Sequence, residues 1–172
     1  MFVDEAAFYL LPAAVRTYAP QGETPVLRYR YWDHVSAISA ITPAGKLYTG
    51  TQETSFDGPA IVRFLKHLDH HIPGKLLVVW DGLPAHRSHA VKEFLRAQPT
   101  QSVYLAQLPG YAPDLNPDEG VWNYLKRVEL KNVCCHNVPE LRTELRKAVN
   151  RLRHKSPIIQ GFVRQVYPDL NV

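Results

Sequence analysis

Cysteine is nearly missing from this 172-residue chain: there are two, and they are neighbours, Cys134 and Cys135. Side by side they offer neither a disulfide framework nor the ligand spacing of a zinc finger. That excludes a small stapled scaffold and points to a reducing, intracellular setting. Long hydrophobic runs are missing too, and no stretch approaches the roughly 20 apolar residues that span a bilayer. No membrane partner is therefore expected. The N-terminal "MFVDEAAFYLL" carries an acidic pair where a secretory signal would be positive. Repeats, low-complexity tracts and a clear interdomain linker are all lacking.

What remains is an ordinary globular composition, 45% hydrophobic and 21% charged, long enough for one domain with a substantial core. A single domain over residues 1–172 is the expectation. Charge is spread unevenly: residues 1–120 hold 10 Lys/Arg against 12 Asp/Glu, whereas residues 121–172 hold 10 against 4. An acidic front with a basic tail suits a polyanionic partner that one part holds and another treats.

Patterning predicts an α/β chain. "MFVDEAAFYLL" reads as a buried strand; "TPVLRYRYW" and "HVSAISAI" follow with strand-like composition and "KLYTGT" comes after a "TPAG" turn, giving an antiparallel meander of three strands before the first helix. A helix follows with Ile61, Phe64, Leu65 and Leu68 at helical spacing, closed by Pro73-Gly74. "KLLVVWDG" suggests a central parallel strand, Ser88 caps a helix to about Ala97, and "SVYLAQLP" is another buried strand. A helix to about Leu130 and a second from Pro139 to about His154 complete the series. Strands first, then alternating with helices, imply a mixed five-stranded sheet covered on both faces.

The stretch "PGYAPDLNPDEGVW" places Asp114, Asp118 and Glu119 at a strand-to-helix junction. Local chemistry accounts for much of it, with Asn116 as N-cap, Pro117 at the first helical position and a loose Asn116–Glu119 capping box. Asp114 and Asp118 read as turn and dipole residues. Glu119 has a further context, because Asp4 lies in the first strand and Asp81 ends "LLVVW". Both approach the edge of a mixed sheet where sites form. Three converging carboxylates cannot all stay ionised without a cation. Hard oxygen donors suit Mg²⁺ or Mn²⁺, and two such ions about 4 Å apart clamp an in-line phosphoryl displacement.

These residues resemble a known family. Asp4 in "FVDE", Asp81 in "VVWDG" and Glu119 in "PGYAPDLNPDEGVWNYLK" look like the catalytic triad of DDE transposases, mariner-like superfamily, bacterial insertion-sequence branch. The family's Tyr-x-Pro-x-Leu-Asn-Pro-x-Glu-x-x-Trp motif is complete here as Tyr111, Pro113, Leu115, Asn116, Pro117, Glu119 and Trp122. "RTYAPQGETPVL" also resembles the segment after the first aspartate. The resemblance implies a ribonuclease H-like fold, two Mg²⁺ ions (Mn²⁺ as substitute) held by Asp4, Asp81 and Glu119, DNA cleavage and 3′-hydroxyl strand transfer. It further implies transposon ends and target DNA as partners, a homodimer on DNA, and a cytoplasmic, nucleoid-associated bacterial setting. Two departures stand out. Gly82 replaces the usual Asn after the second aspartate, and the relatives' N-terminal helix-turn-helix region is missing. Either an upstream polypeptide supplies that region or the chain is a truncated remnant; a DNA-binding fragment with an idle site and a nuclease without strand transfer are the rival readings.

Other residues compete between roles. Glu5 lies on the opposite strand face from Asp4 by alternation. Lys126 and Asn123 share a helix face with Glu119 and are DNA-binding candidates, against the alternative of solvated side chains. His86 either touches DNA or orients the loop after Asp81. His67, His70 and His71 have partial ligand spacing without a carboxylate and read as an exposed helix end. Trp122 and Tyr124 read as core. Leu141, Leu145, Val149 and Leu152 form an apolar stripe, with Arg142, Arg146, Arg151 and Arg153 mostly away from it. Arg142 and Arg146 are the candidates for backbone contact with DNA.

Overall fold

The computed structural model describes residues 1–10, 20–22, 33–98, 102–110 and 112–170. Tyr111 and most of "RTYAPQGETPVL" and "TPVLRYRYW" lie outside those residues. The first strand, β1 (Phe2–Tyr9), pairs antiparallel with β2 (His34–Ile41), which pairs antiparallel with β3 (Leu47–Gln52). The meander is as expected. Two parallel strands, β4 (Leu76–Trp80) and β5 (Val103–Gln107), extend the sheet on the other side. The five-stranded order β3-β2-β1-β4-β5 places β1 at the centre.

Two-residue alternation on β1 divides the core. Phe2 and Phe8 point to one face and Val3 to the other. The Val3 face is covered by α1 (Gly58–His71) and α2 (His89–Arg96), where Ile61, Leu65, Leu68 and Val91 are buried. Local chemistry starts both helices: Asp57 accepts from the Ala60 amide at 2.8 Å and Ser88 from the Val91 amide at 3.5 Å. The Phe2 face is covered by α3 (Glu119–Tyr124), α4 (Val138–Arg153) and α5 (Ser156–Val166). On α4 the stripe of Leu141, Leu145, Val149 and Leu152 is buried. Asn137 caps this helix, while Glu140 reaches back to the His136 amide.

Three differences from the sequence reading matter. Helix α3 starts at Glu119 with no side-chain cap, because Asn116 is used elsewhere: its Oδ1 accepts from the Asp118 amide at 3.2 Å and its Nδ2 donates to the Val3 carbonyl at 3.0 Å. After Tyr124 the helix widens into a π-turn over Leu125–Glu129, closed by Leu130 N–H to the Leu125 carbonyl at 2.8 Å. Helix α5, with Ile159 and Val163 buried, was not anticipated. Its Ser-Pro start and Gly161 blur the helical pattern, and burial against α3 and α4 overrides them.

The vicinal cysteines part ways. Cys134 is exposed, whereas Cys135 is 1% exposed within the α4 core cluster. Burial, reinforced by Glu140 and Glu144, pushes the Cys135 thiol up to about 11. The thiolate is the reactive form, so iodoacetamide at about pH 8 should label Cys134 first and Cys135 only after denaturation. Equal labelling of both in the native protein, read by peptide mass spectrometry, would contradict this packing.

Candidate active site

The sheet brings Asp4, Asp81 and Glu119 to one cleft. Asp4 sits mid-strand on β1, opposite Ser39 of β2. Asp81 follows the last residue of β4, and Glu119 is the first residue of α3. All three line a cavity of about 500 Å³ that also includes Gly82, Arg87 and Gln107. They share a cleft rather than a ready coordination shell: among the described residues, no three His, Cys, Asp or Glu side chains form a group close enough to hold an ion.

Each carboxylate is oriented by neighbours. Trp122 Nε1 donates to Asp4 Oδ2 at 2.9 Å, and the indole packs edge-on against Phe8. The tryptophan is thus core, as expected, and also a brace. Burial, with the charges of Glu119 and Asp81 adding to it, pushes the Asp4 carboxyl up to about 7. At Asp81, Oδ1 accepts from the Leu83 amide at 3.1 Å and meets His86 Nδ1 at 2.9 Å. Both bonds use one oxygen, which leaves Oδ2 open to a ligand.

His86 is buried, its ring stacked on Trp80 with centroids 4.1 Å apart. Nε2 meets Glu5 Oε1 at 2.9 Å and Nδ1 also meets the Asp81 carbonyl at 3.0 Å. Burial opposes its charge, but the bonds to Glu5 and the Asp81 backbone outweigh that and raise its pKa. Its place is therefore that of a loop-orienting residue, with almost no surface for DNA. Glu5, on the face away from Asp4 as alternation requires, is the anchor of that arrangement.

Asp118 corrects the sequence reading. It is fully buried and more than a turn and dipole residue: Ser39 Oγ donates to both its oxygens at 2.7 and 2.8 Å. Burial, then the charge of Asp4, drive its carboxyl well above the usual range, against the Ser39 hydroxyl and the Asp4 backbone. Asp118 is a second acid packed beside Asp4.

The DNA-binding candidates are not gathered in one place. Asn123 opens onto a second groove, of about 410 Å³, that shares Pro113, Asn116 and Glu119 with the cleft. Lys126, on the π-turn, instead sets its ammonium 5.2 Å from the Phe8 ring centroid. Arg142 pairs with Glu53 at 3.1 Å, just beyond β3 on the far edge of the sheet from β5, and Arg146 is exposed on the same helix. Among the described lining residues of the cleft, the one Lys or Arg is Arg87. The sequence reading missed it, although it stands directly after His86. Gly82 lies against Gln107, and a side chain there would collide with the Gln107 carboxamide.

The donor set fits divalent cations: it is all carboxylate oxygen, from a strand, a strand end and a helix start, with burial and then the charge of Glu119 already disfavouring the Asp4 carboxylate.

Residues 1–142 match a family profile described as DDE superfamily endonuclease. No curated protein matches the chain. Among solved structures, the mariner Mos1 paired-end complex with Mg is similar over 99% of this chain and 55% of that one, at 17% identity and a TM-score of 0.67. The Mos1 strand transfer complex gives 99% and 54%, at 15% identity and a TM-score of 0.65. The catalytic domain of Mos1 mariner transposase gives 98% and 81%, at 14% identity and a TM-score of 0.60. The present chain thus spans about half the length of the chains in those complexes. At such identities the likeness is one of fold, the ribonuclease H-like mixed sheet with helices on both faces.

Proposed function

The chain belongs to the DDE superfamily endonucleases, and on that premise, with Asp4, Asp81 and Glu119 lining one cleft, we propose that it is a transposase catalytic domain that cuts DNA and joins the freed 3′ ends to a target. The grouping of those carboxylates in one cleft is the observation that supports this most. The 172 residues would act as one catalytic unit, with transposon ends and target DNA as substrates. Two ends must be held together, which favours a homodimer on DNA. A helix-turn-helix polypeptide that recognises the transposon ends would be a further partner. Work on chromosomal DNA would place the protein at a bacterial nucleoid; no described helix is long and apolar enough to cross a membrane.

Asp4, Asp81 and Glu119 would hold two Mg²⁺ ions, with Mn²⁺ as a substitute. When bound, such ions supply the positive charge that polarises a phosphoryl oxygen and stabilises both the attacking and the leaving oxygen. The chain's own residues account for the rest. Trp122 fixes the Asp4 carboxylate through its indole N–H, and His86, held by Glu5, fixes that of Asp81. Arg87 would hold a non-bridging phosphate oxygen, a charge-assisted contact that places phosphorus over the carboxylates. In the first step a water oxygen bonds to phosphorus as the P–O3′ bond breaks, leaving a 3′-hydroxyl. In the second, that hydroxyl attacks a target phosphorus and releases a target 3′ end. Neither step needs a covalent protein–DNA intermediate.

The test is incubation of the purified protein with end-bearing duplex and supercoiled plasmid, in Mg²⁺ and in EDTA. Metal-dependent cuts leaving 3′-hydroxyls, followed by joined products, are expected. Cleavage that persists in EDTA would overturn the proposal, and cuts without joining would reduce it to a nuclease.

A further inference from the structure

Three histidines close α1, and their rings crowd together, with centroids 4.2 Å apart for His67 and His71 and 5.0 Å for His70 and His71. His71 Nδ1 donates to the His67 carbonyl at 2.8 Å, which fixes the ring and leaves Nε2 for another partner. No described group of three potential ligands includes them, so a metal is not indicated.

Across from this helix end, Arg153 is built into the wall of β3. Its Nε donates to the Leu47 carbonyl at 3.2 Å, Nη2 to Thr49 Oγ1 at 3.4 Å and Nη1 to Asn150 Oδ1 at 3.5 Å. All three acceptors are neutral, so the guanidinium is held in place while its charge stays uncompensated. Neighbouring cations differ: Arg142 pairs with Glu53, Lys147 with Glu144, and Arg151 and Lys155 with Glu129. Between Arg153 and the histidines lies a groove of about 490 Å³, to which Lys46, Thr49 and Ser156 also contribute. No carboxylate is among its described lining residues.

The groove is stiff. Gly45 in the β2–β3 turn has φ +81°, and a Cβ there would stand 2.6 Å from the Ser156 carbonyl oxygen. The turn is therefore pressed against the start of α5, and Gln160 Nε2 donates to the Ala44 carbonyl at 3.2 Å. Gathering cations without an acid is unfavourable by itself: burial, then the adjoining imidazoles and Arg153, hold His67 below the usual histidine range. An anion relieves that repulsion. Guanidinium, ammonium and hydroxyl donors around one hollow suit phosphate oxygens.

We propose that this groove holds a backbone phosphate of a nucleic acid, at a contact separate from the carboxylate cleft. The inference rests on the reading that the chain acts on DNA, and it adds a second point of attachment. Strand β3 is the sheet edge opposite β5, so this phosphate belongs to a different stretch of backbone from the scissile linkage. A free phosphate would meet the same donors. A polymer is favoured because cleft and groove lie on one sheet, and simultaneous contacts reinforce one another.

Fluorescence anisotropy of the full chain with a 30-base-pair duplex, across a KCl series, tests this. The Lys46→Gln/Arg153→Gln variant should bind about tenfold more weakly, and log K should fall less steeply with log salt, by about 0.9 per lost phosphate contact. Arg153 also braces β3, so Lys46→Glu/His71→Glu, which leaves its bonds intact, is the second variant and should weaken binding as well. Parental affinity and slope in both would overturn the proposal. So would inorganic phosphate binding that is lost in the variants while duplex binding is kept. Unchanged duplex binding with intact metal-dependent cleavage defeats the groove alone. Groove-dependent binding without cleavage defeats the proposed activity alone.

Discussion

Alanine at Asp81 is expected to abolish DNA cleavage, lowering the single-turnover rate by about a thousandfold or more while leaving the fold intact. The side chain is 43% exposed and sits in a turn after β4, so its removal creates no core cavity. What it removes is one of three anionic groups that would hold the catalytic cations. Loss of a single preorganised electrostatic contact at a reacting centre already costs about 10²–10³ in rate, and loss of a ligand should cost at least that. Glu119→Gln should behave likewise, because an amide keeps the size but not the charge. His86→Ala gives the useful contrast. It acts through Asp81, so a fall of about 10–100-fold is expected, as for residues that orient metal ligands. Plasmid nicking alongside a thermal melt separates the cases. An Asp81→Ala protein that folds and cuts within tenfold of the parent rate would remove the cleft from consideration.

Asp4→Asn should abolish the same activity yet stabilise the metal-free protein above neutral pH. The Asp4 carboxyl is raised from 3.8 to about 7 by burial and then by Glu119. A group raised in the folded state contributes stability that is complete below its unfolded value, near 3.8, and is lost as pH rises through about 7. Above that, folding forces a buried, repelled carboxylate to ionise, at a cost of at most about 4 kcal/mol for a shift of this size. Asparagine removes the charge, and its side-chain oxygen can still accept the Trp122 N–H. A melting temperature several degrees above the parent's at about pH 8 in EDTA is expected, with the gap closing toward pH 5. Asp118 is shifted in the same direction, so the parent should lose stability as pH rises even more than Asp4 alone dictates. Mg²⁺ or Mn²⁺ should raise the parent's melting temperature but not the variant's. A variant that melts below the parent at pH 8 would show that Asp4 carries no such electrostatic strain. The same repulsion that weakens the apo fold is what a divalent cation would relieve, so stability and function oppose each other at this residue.

Much of this was legible in one dimension. Alternation along β1 separates Asp4 from Glu5, Ser88 starts its helix through a local cap, and the leucine stripe of α4 announces its buried face. The motif ending in Glu119 and Trp122 pointed to metal-dependent phosphoryl transfer before any geometry was known. These features are short-range, set by side-chain periods of two or 3.6 residues and by hydrogen bonds that close within a turn.

Other features depend on partners far along the chain. Asp118 is buried because Ser39 lies opposite Asp4 in the β1–β2 register. His86 turns inward because Glu5 and Trp80 enclose it, and Lys126 is redirected toward Phe8 where the helix widens into a π-turn. Arg87 and the basic groove at Arg153 arise the same way, from elements that meet only after folding. The sequence by itself determined most of the strands and helices, the faces they bury and which three carboxylates to watch. Tertiary structure alone decided which acids are dry, which cations are paired and which side chains share a hollow, because strand register and helix packing, not local spacing, bring those groups into contact.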